Sequence, residues 1–298
     1  MSDLTGAAAV TASRDTLRLP PIEEPARRRL PFSPWHLFLM PLAAVMLLPL
    51  VWMVVVSLET EAQARSFPPV LFPGALRFQN YATAFQAVPF GHFFLNSAMY
   101  AVTTVAGNLL FCALAAYAFA RIRFFGSNLL FIALLATLMV PFQVVLIPTF
   151  LIVKKLGLVD NVGGLIVPNL CGAFGIFLLR QFFRTLPIEL EEAARIDGTS
   201  RLGILFKIVL PLSLPVLATL AIIQFMWSWN DFLWPLIIIN TSTHAPLQLG
   251  LSMFQGAHST QWNLLMAGTV MSQIPMLAVF LLAQRWFIRS IAFTGIKQ

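Results

Sequence analysis

The sequence predicts an all-α integral membrane protein with six transmembrane helices, and three observations support that fold class. Apolar residues make up 58% of the chain and charged residues only 10%, whereas soluble domains have about 45–50% and about 25%. The mean hydropathy is +0.82. The apolar stretches are continuous, unlike the alternating segments of about ten residues in a transmembrane β-barrel. This composition excludes a soluble globular enzyme, because so few charges cannot cover a water-exposed surface.

Six stretches of the chain are apolar over about 20 residues or more, the length that crosses the hydrocarbon core as a helix. We predict spans at residues 34–58, 92–120, 127–150, 162–183, 211–240 and 264–287. The fifth stretch is longer than one span, and we expect it to be interrupted near Pro235. Between the first two spans, residues 59–91 are predicted to form an outer loop with little secondary structure.

The distribution of basic residues predicts that both termini lie on the inner side. In that orientation 15 of the 19 Lys and Arg residues lie inside, and only Arg65, Arg77, Lys154 and Lys155 lie outside, as the positive-inside rule requires. Residues 1–33 are predicted to form a disordered cytoplasmic tail, which precedes a six-span domain of residues 34–298. The net charge of +7 therefore reflects topology, and we expect no nucleic-acid partner.

The sequence lacks the residue patterns of an enzyme. Its four histidines are scattered without an H-E-x-x-H pattern, and no G-x-x-x-x-G-K-[ST] phosphate loop occurs. Cys112 and Cys171 lie far apart in the sequence within apolar runs, so neither a disulfide scaffold nor a cysteine metal site is expected. We therefore predict a chain with no catalytic residue, no bound metal and no cofactor of its own.

The most informative segment is the predicted inner loop, residues 185–210, between the fourth and fifth spans. Pro187 suits the first turn of a helix, the three glutamates that follow favour its positive end, and Gly198 suits the position just past its end. These signals predict a helix of about ten residues, which is too short and too charged to enter lipid. Thr199 is predicted to cap a second helix that runs to Lys207.

One face of the first inner-loop helix carries small and apolar side chains, because Leu190, Ala193 and Ala194 share a face and Ile196 lies close to them. A small-residue face flanked by acidic residues suits a groove on another protein. The alternative is a helix that rests on the inner leaflet, which favours large apolar residues with Lys or Arg on the polar face. The sequence therefore favours docking of a partner protein.

A longer pattern contains this helix. Glu192-Ala193-Ala194 is followed after three residues by Gly198, and after nine more by Ile208-Val209-Leu210-Pro211. This spacing resembles the EAA loop of ABC-importer permeases. The similarity to carbohydrate-type importers, the maltose and glycerol-3-phosphate group, extends over about residues 35–298, and within that group the chain is most similar to the second permease subunit.

The resemblance implies a fold, a location and a set of partners. The fold would be that of a type I ABC-importer permease in the bacterial cytoplasmic (inner) membrane. The partners would be a homologous permease in a heterodimer, two copies of an ABC ATPase that bind ATP and Mg, and an extracytoplasmic solute-binding protein. The residues implied in ATPase coupling are Glu191, Glu192, Ala193, Ala194, Arg195, Asp197, Gly198 and Pro211, with the C-terminal Lys297 and Gln298 as a further contact.

A polar cluster in the fifth span indicates a candidate substrate pathway. Ionisable groups inside a span are functional candidates by default, and carboxylates, amides and aromatic rings are the groups that bind sugars. The candidates are Gln224, Trp227, Trp229, Asn230 and Asp231, with Gln143 and Asn169 from the third and fourth spans. Alternatively, Asp231 caps a broken helix near the membrane interface, and Gln143 and Asn169 bond neighbouring helices.

The predicted function is that of a permease subunit that forms half of the pathway for a sugar or oligosaccharide and is coupled to a separate ATPase. A glycerol-3-phosphate or glycerophosphodiester importer is the alternative in this class, although such substrates favour cationic groups and the spans have no mid-membrane Arg or Lys. A proton-coupled secondary carrier with Asp231 as its proton site, and a scaffolding subunit of another membrane complex, are alternatives from other classes. Neither explains the spacing of the inner-loop pattern.

Overall fold

The computed structural model describes residues 35–256 and 259–294, with the side chains of that range up to residue 282. Within these residues the regular secondary structure is helical, and Gln255 and Thr260 form an isolated β-bridge. The all-α prediction is therefore confirmed. The predicted tail of residues 1–33 and the predicted C-terminal contacts Lys297 and Gln298 lie outside the described residues.

The α-helices of the described chain are numbered in order. They are α1 (Trp35–Ser57), α2 (Glu61–Ala64), α3 (Gln79–Ala87), α4 (Phe90–Arg121), α5 (Ser127–Thr137), α6 (Phe142–Lys155), α7 (Val162–Ile166), α8 (Ala173–Phe183), α9 (Glu189–Ile196), α10 (Arg201–Ile204), α11 (Leu210–Leu212), α12 (Leu214–Trp229), α13 (Leu233–Ile238), α14 (Leu247–Leu251) and α15 (Trp262–Thr294). Three 3-10 turns (Val167–Asn169, Ser242–His244 and Ser252–Phe254) and a π-helical turn (Leu205–Val209) lie between them.

The described helices could form between three and six membrane spans. Three of them, α1, α4 and the part of α15 at Trp262–Leu282, are long and apolar enough to cross a membrane alone. Three bent pairs pass the same test together: α5 with α6 at 104°, Val162–Asn169 with α8 at 41°, and Arg201–Leu212 with α12 at 82°. If each bent pair is one span, the described residues contain six. The inside and outside assignment of the loops stays a prediction.

The breaks within the third and fifth apolar stretches have local causes. α12 ends at Trp229 and α13 begins at Leu233, whereas Pro235, where we expected the interruption, lies within α13. Proline is tolerated there because the N–H that it lacks has no partner in the first turn of a helix. The third stretch breaks just before Pro141, because proline disfavours helical backbone at the residue that precedes it.

The outer segment of residues 59–91 has more secondary structure than the sequence predicts, since it contains α2 and α3. α2 begins with a capping box: the Thr60 hydroxyl accepts a hydrogen bond from the Gln63 N–H, and the Gln63 side chain accepts one from the Thr60 N–H at 2.9 Å. Asn80 of α3 donates to the backbone carbonyls of Ser57 and Glu59 at 2.9 and 2.8 Å. The expectation of little secondary structure is therefore wrong: the capping box orders α2, and the Asn80 hydrogen bonds hold α3 against the backbone at the end of α1.

α4 is the helix around which the compact unit from Leu50 onward packs. α8 and α12 both lie against it, and α15 packs on α12 and α3. Gly175 of α8 faces Cys112 of α4, and a Cβ atom at Gly175 would come within 2.8 Å of the Cys112 Sγ. Tyr100, in the first half of α4, and Tyr117, near its end, belong to two different clusters of buried residues. One helix therefore takes part in both cores.

Asp160 joins the loop after α6 to the segment after α13. Its Oδ1 accepts hydrogen bonds from the N–H groups of Asn240 and Thr241, both at 2.9 Å, and its Oδ2 accepts one from the Thr241 hydroxyl. The Asp160 N–H donates to the carbonyl of Ile238 at 2.8 Å. The hydrogen bonds from Thr241 and then Asn240 hold the pKa of the Asp160 carboxyl well below its ordinary value of 3.8. The charged carboxylate is therefore the form that connects the two segments.

We expect Asp160→Asn to lower the thermal unfolding temperature of the detergent-solubilised protein at pH 7, because an amide accepts fewer and weaker hydrogen bonds than a carboxylate. The folded-state pKa lies below that of the unfolded chain, so the stabilisation is complete above about pH 4 and is lost as the pH falls toward the folded-state pKa. Unfolding temperatures of both proteins from pH 7 to pH 3 check this. A difference between them that is as large at pH 3 as at pH 7 would contradict it.

Candidate functional site

The inner-loop helix forms where the sequence predicts it, with small differences at its ends. α9 runs over Glu189–Ile196, which is eight residues and not about ten, and it begins two residues after Pro187. Gly198 has a φ of +77° and follows the end of the helix, which is the left-handed conformation predicted from its position. Ser200, and not Thr199, caps α10, since its hydroxyl accepts a hydrogen bond from the Gly203 N–H at 3.2 Å.

Glu191 faces the interior of its own chain. It is 1% exposed, and its Oε1 lies 2.7 Å from the Arg121 Nε at the end of α4. The Tyr117 hydroxyl donates to the Glu191 Oε2 at 3.0 Å, and the Arg121 Nη2 donates to the Leu186 carbonyl at 2.7 Å. The resemblance implies a role for Glu191 in ATPase coupling, and that role stays a prediction; in the structure its carboxylate holds α9 against α4.

The opposite side of α9 is exposed. Ala194 is buried one turn after Glu191, so the predicted apolar face is divided: Leu190, Ala193 and Ile196 point outward, and Ile196 is 87% exposed. The other exposed residues from the predicted coupling set are Glu192, Arg195, Asp197, Gly198 and, in α11, Pro211. The α9 outer face, as we call the surface of Leu190, Glu192, Ala193, Arg195 and Ile196, combines apolar and charged side chains.

A cavity of about 1010 Å³ lies beside α4. Its walls come from α4, α6, the segment between α7 and α8, α12, and the start of α13. Five predicted pathway residues line it: Asn169, Gln224, Trp227, Asn230 and Asp231. Its remaining polar lining side chains are those of Tyr100, Asn108, Thr149 and Ser228. The cavity therefore combines amides, hydroxyls and one carboxylate with apolar and aromatic surface.

Asp231 is the centre of a hydrogen-bonded group on the cavity wall. The Tyr100 hydroxyl donates to its Oδ2 at 2.9 Å, and the Asn169 Nδ2 lies 3.1 Å from the Tyr100 oxygen. The Trp234 N–H lies 3.3 Å from the Asp231 Oδ1 at the start of α13. Asp231 thus accepts a hydrogen bond from the first turn of α13 and also lines the cavity; its role in a substrate pathway stays a prediction.

Two predicted pathway residues do not line the cavity. Trp229 is 2% exposed; its indole N–H donates to the Ser272 carbonyl at 3.0 Å and its ring stacks on Phe225. It therefore holds α12 against α15. Gln143 is exposed in the first turn of α6 and is absent from the lining residues. For both residues a role in the substrate pathway stays a prediction that the cavity does not support.

The most important cavity residues that the sequence does not single out are Tyr100 and Asn108. Both lie on α4 and, together with the buried Thr104 between them, form a series with a spacing of four residues. That spacing places the three side chains on one face of a helix. Three polar residues at this spacing within a span could have predicted a polar face of the helix. Each of them is uncharged, however, and alone does not stand out in an apolar stretch.

The charge of the cavity is set by Asp231. Among the described residues that line it, there is one carboxylate and no Lys or Arg. Hydroxyl-rich neutral ligands can hydrogen-bond to the amides, hydroxyls and carboxylate, whereas a phosphate or uronate group would meet a negative charge without a compensating cation. The wall contributed by this chain therefore suits a neutral polar ligand.

Comparison with known proteins decides the family. Residues 108–293 match the family "Binding-protein-dependent transport system inner membrane component". The chain belongs to this family. It is therefore an integral membrane permease of a binding-protein-dependent transport system, and the matched region contains α9, the cavity residues of α12 and the last part of α4, from Asn108 to Arg121.

Two curated relatives and one solved structure are similar over most of the permease. The arabinooligosaccharides transport system permease protein AraQ of Halalkalibacterium halodurans is 34% identical over 86% of this chain and 93% of its own. The sn-glycerol-3-phosphate transport system permease protein UgpE of Yersinia enterocolitica is 37% identical over 86% of this chain and 94% of its own. A bacterial ABC transporter that imports the acidic polysaccharide alginate has a chain with a TM-score of 0.72 and 28% identity, covering 86% of this chain and 99% of that chain.

We expect Glu191→Gln to destabilise the permease by about 3–5 kcal/mol, because the substitution leaves the Arg121 guanidinium buried without its counter-charge. The measurement is the unfolding of the purified protein in detergent, by heat or denaturant. Glu192→Gln is the matched control, since Glu192 is the next residue and is exposed; its effect should stay within about 0.5 kcal/mol. Equal effects of the two substitutions would show that Glu191 has no special structural role.

Proposed function

We propose that this permease forms half of the translocation pathway of an ATP-driven importer for a sugar or oligosaccharide in the bacterial cytoplasmic membrane. It pairs with a homologous permease, receives substrate from an extracytoplasmic binding protein and is driven by two copies of an ABC ATPase. ATP and Mg are bound by that ATPase, and this chain performs no chemistry. The family assignment and the names of the two curated relatives support the proposal.

One observation carries the coupling mechanism: α4 is a continuous helix that reaches from the cavity to α9. Tyr100 and Asn108 line the cavity, and Tyr117 and Arg121 of the same helix bind Glu191. At about 1.5 Å per residue, the distance along the helix from Tyr100 to Arg121 is about 30 Å. A displacement of α9 therefore moves α4 with it, and the cavity wall moves as part of the same rigid element.

The α9 outer face is the proposed contact with the ATPase. Its charged residues Glu192 and Arg195 offer both signs of charge, Ile196 offers exposed apolar surface, and Ala193 lets another chain approach closely. The backbone of Gly198, just past the end of the helix, is also open to another chain, since a Cβ atom built on this residue would have no other atom within 4 Å. When the two ATPase subunits close on ATP, they would pull on this face and change the side of the membrane from which the cavity is accessible.

The polar wall of the cavity is the proposed contact with the sugar. Asp231, Asn230 and Asn169 supply acceptors and donors for hydroxyl groups, and the partly exposed ring of Trp227 supplies a surface for sugar C–H groups. The hydrogen bonds that Asp231 accepts from Tyr100 and from the Trp234 N–H fix the direction of its carboxylate. A fixed acceptor costs little ordering free energy when substrate arrives.

A glycerol-3-phosphate or glycerophosphodiester substrate is the second candidate, because the UgpE relative, at 37% identity, is at least as similar to this chain as the AraQ relative at 34%. Such a substrate needs cationic groups, and the described lining of this chain has none. The partner permease would have to supply them. The uptake measurement proposed for Asp231 below compares the two substrate classes directly.

Coupling is tested by Ile196→Asp. Placing a charge on the most exposed apolar residue of the α9 outer face should weaken docking, and we expect at least about tenfold less ATPase to co-purify, equivalent to about 1.4 kcal/mol. Mass spectrometry of the tagged permease complex from its host measures this ratio. Phe125→Asp is the control, because Phe125 is fully exposed in the neighbouring loop between α4 and α5. If the two variants retain the same amount of ATPase, α9 is not the docking element.

The substrate pathway is tested by Asp231→Asn. We expect uptake of arabino-oligosaccharides by cells with the complete importer to fall at least about tenfold, since a charged acceptor contributes about 1.5–3 kcal/mol per hydrogen bond. Uptake of glycerol-3-phosphate is measured in parallel. Gln143→Ala, a polar residue away from the cavity, should keep uptake within about twofold. Loss of activity in both variants, or in neither, would contradict the assigned pathway.

A further inference from the structure

Cys112 and Cys171, which are far apart in the sequence, are neighbours in the structure. The Cys112 Sγ accepts a hydrogen bond from the N–H of Gly172 at 3.5 Å and lies 3.5 Å from the carbonyl oxygen of that residue. Both thiols are free. Because Gly172 directly follows Cys171, these distances place the Cys171 Cα within about 6 Å of the Cys112 sulfur.

The two thiols differ in access. Cys171 is exposed and lines the cavity, whereas Cys112 is fully buried in α4. Gly175 leaves room for the buried thiol between α4 and α8, since a Cβ atom there would lie 2.8 Å from the sulfur. One accessible thiol with a second thiol behind it is the arrangement of a reactive cysteine with a resolving cysteine.

We propose that Cys171 and Cys112 form a redox-sensitive pair in the wall of the cavity, which a hydroperoxide converts to a disulfide. The Cys171 sulfur attacks one oxygen of the hydroperoxide; the O–O bond breaks, an alcohol or water leaves, and a sulfenic acid forms. The Cys112 sulfur then attacks the Cys171 sulfur, the S–O bond breaks, and water leaves with the Cys112 proton. The two sulfur atoms lose two electrons in total, and the O–O bond gains them.

The disulfide would change the wall on which Asn108 and Asn169 lie. In the reduced state the Cys112 thiol is 3.5 Å from the Asn108 Oδ1, and the Asn108 Nδ2 donates to the Asn169 carbonyl at 3.2 Å. Oxidation removes the thiol donor and connects α4 covalently to the bend between Val167–Asn169 and α8. In the reduced protein hydrogen bonds hold this bend against α4. In the oxidised protein a covalent bond would hold it there.

The test uses the full-length chain, purified in detergent and reduced, with hydrogen peroxide as the oxidant and a maleimide as the thiol probe. We expect one thiol to be labelled in the folded protein and two after unfolding in SDS. After peroxide treatment neither thiol should be labelled, and the intact mass should fall by that of two hydrogen atoms. A peptide map should contain one cross-linked peptide pair joining the segments around Cys112 and Cys171.

Single variants separate the roles of the two thiols. In Cys112→Ser the remaining thiol should still be labelled, and peroxide should leave a sulfenic acid that dimedone captures. In Cys171→Ser the buried thiol should stay unlabelled and unoxidised until the protein is unfolded; Cys112→Ala and Cys171→Ala provide the same comparison if a serine variant is unstable. Disulfide-linked dimers, or oxidation of Cys112 that does not depend on Cys171, would overturn the proposal. Because the readout needs no transport, it is independent of the proposed function.

Discussion

The buried pair of Glu191 and Arg121 is the interaction on which the relation between the inner loop and the helices depends. Removing two charges from water costs several kcal/mol for each ion, and only good geometry with further hydrogen bonds offsets that cost. Here the Tyr117 hydroxyl and the Leu186 carbonyl provide those further bonds. Together these contacts constrain the orientation of α9 against α4. The direction of the exposed face of α9 follows from that orientation.

The cavity and the inner loop are two parts of one mechanical element. Polar groups inside a span are costly unless they are bonded to one another, and Tyr100, Asn169 and Asp231 satisfy this condition by forming a chain of hydrogen bonds across three segments. These hydrogen bonds link α4 to the bend before α8 and to the break between α12 and α13. A shift of α4 must therefore either move these segments with it or break these hydrogen bonds.

The sequence predicts the fold class and the inner-loop helix well, because both depend on local signals. Hydropathy locates the apolar stretches, and Pro187, the glutamates and Gly198 locate α9 to within about two residues. The burial of Glu191 could not be predicted, since its partner Arg121 is distant in the sequence and looks like an ordinary inner-side basic residue. Only the packing of α9 on α4 brings the two together.

The periodicity of the sequence is not sufficient to predict which residues line the cavity. α12 is apolar over most of its surface, so the sequence indicates only weakly which side faces the cavity, and both Trp227 and Trp229 are candidates. The structure separates them: Trp227 lines the cavity, whereas Trp229 donates to Ser272 on the other side. Tyr100 could not be predicted for a different reason: a single tyrosine in an apolar span does not indicate a functional role.

The continuity of α4 has a consequence for how this gene can vary. Each residue inserted into or deleted from an α-helix rotates everything beyond it by about 100° and shifts it by about 1.5 Å. Between Tyr100 and Arg121 such a change would turn the ion pair away from α9 while the cavity wall stayed in place. Point substitutions on the lipid side of this stretch are compatible with the architecture, but changes of length are not. The number of residues between Tyr100 and Arg121 is therefore under stronger constraint than the identity of most of them.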